Sequence, residues 1–268
     1  MSSSSSYTVP PEKVEFYAKH GWVVLEDVVS PAEIKRLKSI ADDMIEGRID
    51  CKANRADLGG HADRVKSSTE NIIQIAWPTD LTSALDENEL IMKSRIISDS
   101  LYGSPSGTWA LDMNQFLIKR GQTFTDTPLH QDQSYYIPLA DSRACNIWLA
   151  LVDVSDDMGC LWFEDSPLET PLSLRVHRPA GRGGGALEYG EGPDFNVMVP
   201  APLRAGSVTV HSHMTPHYAK GNSTDTTRYG YVVQTRPAES VREGRMKGFD
   251  HGRMKGNVAR QPNNNTTA

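Results

Sequence analysis

The chain has little of what would mark a secreted or membrane protein. Only three of its 268 residues are cysteines, and they are widely spaced, which fits reduced thiols better than a disulfide framework. No apolar run approaches the ~20 residues that a membrane-spanning helix requires. Residues 1–6 lack the charge and the apolar stretch of a signal peptide. We therefore expect a cytoplasmic protein with no membrane partner.

Positive charge is also scarce. Lysine and arginine total 28 against 34 acidic residues, which gives a formal net charge of −6 at pH 7. Such a chain has no basic field to attract a phosphate backbone. We expect no nucleic-acid partner, and the sequence leaves the oligomeric state open.

The hydrophobic content of 38% is enough for one sizeable core. We predict a single domain over residues 1–268 with its core at about 12–235. Residues 1–9 and the stretch from about 239 to 268 carry too little apolar surface to offset the entropy of ordering, so both ends are predicted to be flexible. The glycine cluster at 181–185 predicts a mobile loop.

The first third of the chain predicts helices. Ser30 and Glu33 make a capping box with Pro31 at the first helical position, and Gly47 follows the apolar pattern as a stop. The other predicted elements of this third are a helix over 11–19, a strand over 21–25, and a helix over 87–101 with Leu90, Ile91, Ile96 and Ile97 on its apolar side.

Beyond Trp109 the pattern changes to short β-type runs separated by Gly, Pro and Asp. This predicts a mainly β fold with flanking α-helices, built on a double-stranded β-helix core of the jelly-roll, cupin-like type. The helices would cover one sheet and leave the barrel mouth open. The predicted strands span 114–119, 144–152, 159–163, 207–211 and 229–234.

One short motif suggests a metal site. His130 and Asp132 are two apart, and in an extended segment such residues point to the same side. A second imidazole from a distant strand would complete the two-histidine, one-carboxylate triad of non-haem Fe(II) enzymes. The motif alone is weak evidence, because His61 and Asp63 repeat it in a glycine-flanked polar stretch that we interpret as a solvated loop.

The order of several motifs resembles the phytanoyl-CoA dioxygenase superfamily, which includes ectoine hydroxylases. The resemblance covers about 12–235. It is carried by Leu129-His-Gln-Asp-Gln133, a strand at 145–153, Met158-Gly-Cys-Leu161, and a final stretch from Ala205-Gly-Ser-Val208 to Arg228. It implies an enzyme that uses Fe(II), 2-oxoglutarate and O2 to oxidise, by default to hydroxylate, a small organic molecule in a biosynthetic pathway, with release of succinate and CO2.

The resemblance also assigns residues. In the family an arginine follows the second metal-binding histidine by eleven positions, which selects His217 over its neighbours His211 and His213 and makes Arg228 the partner of the distal carboxylate of 2-oxoglutarate. A planar guanidinium suits that task, since it binds a carboxylate through two parallel hydrogen bonds. The resemblance places Asn146 near the co-substrate, although a buried amide that ties two strands together is an equal alternative.

The remaining site predictions concern the substrate. Candidates for its pocket are Gln115, Tyr135, Tyr136 and Trp148, with Lys119 and Trp162 as further possibilities. Two other functions stay open. One is a zinc-dependent hydrolase with Asp132, His211, His213 and His217 as ligands, and the other is a non-catalytic, cupin-like metal-binding protein.

Overall fold

The structure is a computed structural model that describes residues 7–59, 70–165, 173–180 and 186–253. Several predictions concern residues outside these ranges. They are the solvated loop at His61 and Asp63, the mobile loop at 181–185, and the flexibility of residues 1–6 and 254–268.

The described residues contain four α-helices: α1 Pro11–His20, α2 Pro31–Ile45, α3 Glu89–Leu101 and α4 Ala238–Met246. The Ser30 hydroxyl accepts a hydrogen bond from the Glu33 amide, so α2 begins at the predicted cap. Asn88 caps α3 in the same way through the Ile91 amide, which starts this helix two residues later than predicted. Ile96 was wrongly placed on the apolar side, since it is 41% exposed. None of the described helices combines the length and the apolar character needed to cross a membrane.

Thirteen β-strands occur in the described ranges, and all of their pairings are antiparallel. They are β1 Trp22–Leu25, β2 Arg55–Asp57, β3 Ile72–Ala76, β4 Trp109–Lys119, β5 Thr127–His130, β6 Cys145–Ala150, β7 Leu161–Glu164, β8 Arg178–Pro179, β9 Leu187–Glu188, β10 Met198–Ala201, β11 Val208–Ser212, β12 His217–Ala219 and β13 Arg228–Pro237.

Two sheets dominate the molecule. The larger has the strand order β1-β11-β6-β13-β4-β3-β2 and the smaller β10-β7-β12-β5, while β8 and β9 form a separate ribbon. The mainly β fold with flanking helices is as predicted. Within the described chain the sheets remain separate and do not close into a barrel.

Strand β6 shows how the larger sheet is used on both faces. All six of its residues are buried. Ile147 and Leu149 belong to the core that the helices cover, whereas Trp148 belongs to a cluster on the opposite face, as the period-two alternation of a strand requires. The helix-covered face therefore supplies the main core, and the other face is left to line a cavity.

The stretch from 239 to 253 contains regular structure in a region that was predicted to be flexible. Residues 238–246 form α4, which packs on β4 and β13. Three cationic or imidazole side chains then meet the buried Asp112 carboxylate: Arg236 Nε at 3.0 Å, Arg245 Nη2 at 2.8 Å and His251 Nε2 at 2.8 Å. The ion pairs anchor a segment that is too polar to be ordered by apolar burial alone.

Asp112→Asn should destabilise the protein by about 3–5 kcal/mol at pH 7, because it leaves the buried Arg236 and the half-buried Arg245 without their counter-charge. Burial by itself raises the pKa of Asp112, but His251, Arg236 and Arg245 outweigh it and hold this pKa well below its usual range. The contribution is thus complete above the unfolded pKa of about 3.9 and is lost as pH falls towards the folded pKa. Denaturant unfolding at several pH values measures both effects.

The control is Glu239→Gln, which changes an exposed carboxylate on α4 and should leave the free energy of unfolding within about 0.5 kcal/mol. Below pH 4 the wild type should lose stability more steeply than Asp112→Asn. Equal stability of the two proteins at pH 7 would show that the ion pairs do not hold the segment.

Candidate metal and 2-oxoglutarate site

His130, Asp132 and His217 lie together in the space between the two sheets. Strand β5 ends at His130, a short 3-10 helix begins at Asp132, and β12 begins at His217. Because β5 and β12 are antiparallel neighbours with His217 directly opposite His130, the register brings the imidazoles to a centroid distance of 4.2 Å. One potential ligand atom from each of the three residues lies within 4.8 Å of the others, and all three residues are buried.

Each histidine is oriented through its Nδ1 atom. Nδ1 of His130 lies 2.7 Å from the Pro128 carbonyl oxygen, and Nδ1 of His217 lies 3.1 Å from that of Thr215. Since a carbonyl only accepts, both Nδ1 atoms carry the proton and both Nε2 atoms offer a lone pair. These Nε2 atoms face Asp132, His130 at 3.5 Å from Oδ1 and His217 at 3.8 Å from Oδ2.

The electrostatics favour the protonation states that bind metal. Burial by itself raises the pKa of Asp132, but His217, His130 and His211 outweigh it and hold this pKa well below its usual range. Burial, together with the proximity of His130, lowers the pKa of His217 well below its usual range. The site therefore presents a carboxylate beside neutral imidazole, the forms that metal ligation requires, and the donor set fits iron.

The rival histidines, His211 and His213, differ in their partners. His213 Nδ1 lies 3.1 Å from Arg236 Nη2, and its ring stacks on Tyr136 at 4.5 Å. His211 Nε2 lies 3.2 Å from Asp132 Oδ2. Among the described residues, the group whose ligand atoms converge is His130, Asp132 and His217, so the four-ligand set of the zinc alternative is not assembled.

Arg228 lies at another wall of the same cavity, which encloses about 60 Å³ and is also lined by the triad. The arginine begins β13 and is 3% exposed. Its Nη1 donates to the Gly159 carbonyl oxygen at 2.6 Å, while its Nε has no hydrogen-bond partner among the described residues. Burial lowers the pKa of Arg228 to about 10, so it remains a cation at neutral pH. A buried cation with a spare donor is suited to a carboxylate ligand.

Two glycines make this geometry possible. Gly159 has φ of +77°, and an added Cβ would lie 2.3 Å from the Lys220 carbonyl oxygen. An added Cβ on Gly230 would lie 2.4 Å from the indole ring of Trp148. The bare backbone at these positions lets the carbonyl group of Gly159 reach Arg228 and lets the indole of Trp148 lie flat against β13.

A model of the family described as "Phytanoyl-CoA dioxygenase (PhyH)" matches residues 17–230. The chain belongs to the PhyH family. Among curated proteins it is similar to phytanoyl-CoA dioxygenase domain-containing protein 1 from Bos taurus, at 30% identity over 123 residues, and to the Mus musculus protein of that name, at 27% over 123 residues. The matched segments cover 44% and 45% of this chain and 42% of each relative, so the chain matches less than half the length of these curated relatives.

Several solved structures share the fold of this chain. EvdO2 from Micromonospora carbonacea var. aurantiaca, complexed with 2-oxoglutarate, aligns with a TM-score of 0.69 at 22% identity, over 87% of this chain and 92% of that one. The carbocyclase SnoK from nogalamycin biosynthesis aligns with a TM-score of 0.65 at 21% identity, over 96% and 94%. The epimerase SnoN, in complex with Fe3+, alpha-ketoglutarate and nogalamycin RO, aligns with a TM-score of 0.64 at 21% identity, over 85% of this chain and 83% of that one. The jelly-roll prediction is thereby confirmed.

Asn146 lies beside the metal motif, in the cavity that Arg228 also lines. Its Nδ2 group donates to Asp132 Oδ2, which makes it a neighbour of the carboxylate ligand. Its Oδ1 atom has no hydrogen-bond partner in the described chain, and the residue lines the cavity that the triad and Arg228 also line. The amide therefore links β6 to the metal motif through its Nδ2 group.

The substrate candidates divide into two groups. Gln115 and Trp148 line the cavity, and Gln115 Oε1 accepts a hydrogen bond from Gln74 Nε2 at 2.5 Å. Tyr135 lies beside His130 at a centroid distance of 5.8 Å and accepts the Leu187 amide at 2.7 Å. Tyr136 instead packs against His213.

The two further possibilities lie outside this cavity lining. The Lys119 ammonium group donates to the Lys220 carbonyl oxygen at 2.6 Å. The Trp162 indole donates to Asp156 Oδ1 at 2.7 Å. Neither residue is among those that line the cavity.

Gln234 is a cavity residue that was not predicted from the sequence. It lines the cavity with Arg228 and Val232, and its Oε1 atom has no hydrogen-bond partner in the described ranges. The signal was present, because residues 228, 232 and 234 share the same parity along one strand and therefore the same face. Counting in twos from Arg228 would have found it.

Proposed function

We propose that this chain is an Fe(II)- and 2-oxoglutarate-dependent dioxygenase that hydroxylates a small organic molecule in a biosynthetic pathway, with release of succinate and CO2. The observation that carries the proposal is the shared cavity. It joins a buried His-Asp-His triad to a buried arginine with a spare donor. Membership of the PhyH family supports it, and fold neighbours carry 2-oxoglutarate and Fe3+.

Three side chains would hold the metal, and two others would bind the co-substrate. Nε2 of His130, Nε2 of His217 and the Asp132 carboxylate would hold the iron, which with 2-oxoglutarate and O2 supplies the oxidising chemistry. Arg228 would bind the far carboxylate of the co-substrate. The Trp148 indole N–H, which is buried without a hydrogen-bond partner in the described chain, lies on the cavity wall where it can donate to the same group.

The substrate side is a second, smaller cavity of about 30 Å³. It shares His130, Thr127 and Ile72 with the first and adds Tyr135 and Leu187. The lining is mostly apolar, which would exclude water from the reacting centre. Tyr135 is held in place by the Leu187 amide, so its ring can serve as a fixed wall for the substrate.

The test is succinate formation and O2 consumption by the purified protein with Fe(II) and 2-oxoglutarate, screened across small-molecule substrates. A productive substrate should stimulate both, and its product should contain one added oxygen atom. A product of unchanged mass would indicate epimerisation, and loss of two hydrogens ring formation or desaturation; either would overturn hydroxylation. Hydrolytic activity that needs zinc but no oxoacid would overturn the dioxygenase proposal.

A further inference from the structure

One oxygen of the Asp132 carboxylate receives two donors. His211 Nε2 lies 3.2 Å from Oδ2, and Asn146 Nδ2 donates to the same Oδ2. The donors come from neighbouring strands, since His211 in β11 is the register partner of Asn146 in β6. A carboxylate only accepts hydrogen bonds, so His211 must carry its proton on Nε2.

The other oxygen has a different environment. Oδ1 lies 3.5 Å from Nε2 of His130, whereas Nε2 of His217 lies 3.8 Å from Oδ2, so each triad histidine faces a different oxygen. The two donors from the larger sheet nevertheless distinguish the oxygens, because both contact Oδ2, and among the described residues no donor of that sheet contacts Oδ1. Neutral donors on one oxygen also fix the rotation of the carboxylate plane, as partners behind a metal ligand commonly do.

Burial of the polar His211 side chain is energetically unfavourable unless the residue has a role such as holding Asp132. It is 3% exposed and lies between the rings of Phe163 and His217, at centroid distances of 5.2 Å and 4.4 Å. Its Nδ1 atom has no hydrogen-bond partner in the part of the chain that is described. A buried acceptor without a partner destabilises a fold, so an apolar side chain would suit packing better.

We propose that His211 and Asn146 are positioning residues that hold Asp132 through Oδ2, so that the metal is bound through Oδ1 alone. This rests on the proposed function. A carboxylate that bound through both oxygens would occupy a further coordination position, and the facial triad depends on positions that stay open. The pair thus preserves the room that a chelating oxoacid and O2 require.

The test measures metal binding without turnover. Co(II) is titrated anaerobically into the full chain, and its visible absorption, which reports coordination number, is recorded for each variant. His211→Leu removes the donor, whereas His211→Gln keeps an amide N–H near the position of Nε2. His213→Gln is the matched control, because it changes a buried histidine of the same segment that faces Arg236 instead.

We expect His211→Leu and Asn146→Leu each to weaken Co(II) binding by about 10–100-fold and to change the Co(II) spectrum. His211→Gln should restore both towards wild type, and His213→Gln should alter neither. Thermal unfolding of each apoprotein checks that a folded protein was titrated. If His211→Leu binds Co(II) with wild-type affinity and spectrum, or His211→Gln fails to restore them, the positioning role is wrong although the proposed function stands. If the wild type itself binds no metal, the proposed function fails.

Discussion

Asp132→Ala should abolish Fe(II)-dependent turnover of 2-oxoglutarate. The substitution removes the single carboxylate of the triad, so we expect a loss greater than the ~100-fold that marks the upper range for removing a partner behind a metal ligand. His130→Ala should behave likewise, because its Nε2 atom is one of the three ligand atoms that converge. Succinate release and metal content, measured on the same preparation, check both expectations.

The variant should remain folded, which separates a lost metal from a lost structure. The hydrogen bonds that the structure describes for the Asp132 carboxylate come from the side chains of Asn146 and His211, so its removal breaks no backbone hydrogen bond among the described residues. Asp141→Ala is the matched control, since it changes an aspartate that pairs with Arg143 at the surface. Wild-type turnover by Asp132→Ala would end the assignment of the triad.

Strand parity predicted part of the metal site, but it could not predict the local structure at Asp132 or the choice of His217. The rule that residues two apart share a face brought His130 and Asp132 together correctly, but Asp132 does not lie in the strand: β5 ends at His130 and a helical turn follows. His217 could not be selected by pattern, because β12 spans only His217–Ala219 and three residues are too few for a periodic signal. The family spacing to Arg228 was needed.

Other features could not be predicted because they depend on contacts between distant parts of the chain. The tail was predicted to be flexible from composition, yet Asp112 binds His251, which lies 139 positions away. Strand β3 was missed because all five of its residues are buried, so it lacks the alternation that marks a half-exposed strand. The placement of Asn146 against Asp132 likewise follows from how the two sheets pack, which no local pattern encodes.

Arg228→Ala should raise the KM for 2-oxoglutarate while affecting kcat less. A charge-assisted contact to a carboxylate contributes about 1.5–3 kcal/mol, so its loss should weaken the binding of 2-oxoglutarate roughly 10–150-fold. The arginine lines the cavity but is not one of the three residues whose ligand atoms converge. Its loss should therefore weaken binding of 2-oxoglutarate more than it slows the chemical step. Initial rates at varied 2-oxoglutarate, with metal and substrate saturating, separate KM from kcat.

Arg228→Lys provides the finer comparison. It keeps a positive charge but loses the planar fork that grips both carboxylate oxygens, and it also loses the Nη1 contact that fixes the arginine to the Gly159 carbonyl group. We therefore expect a KM between those of the wild type and Arg228→Ala. The exposed Arg242→Ala on α4 serves as the charge control. An Arg228→Ala enzyme with unchanged KM and reduced kcat would show that the far carboxylate of 2-oxoglutarate binds elsewhere. Removal of a contact that binds this carboxylate must lower the affinity for the co-substrate.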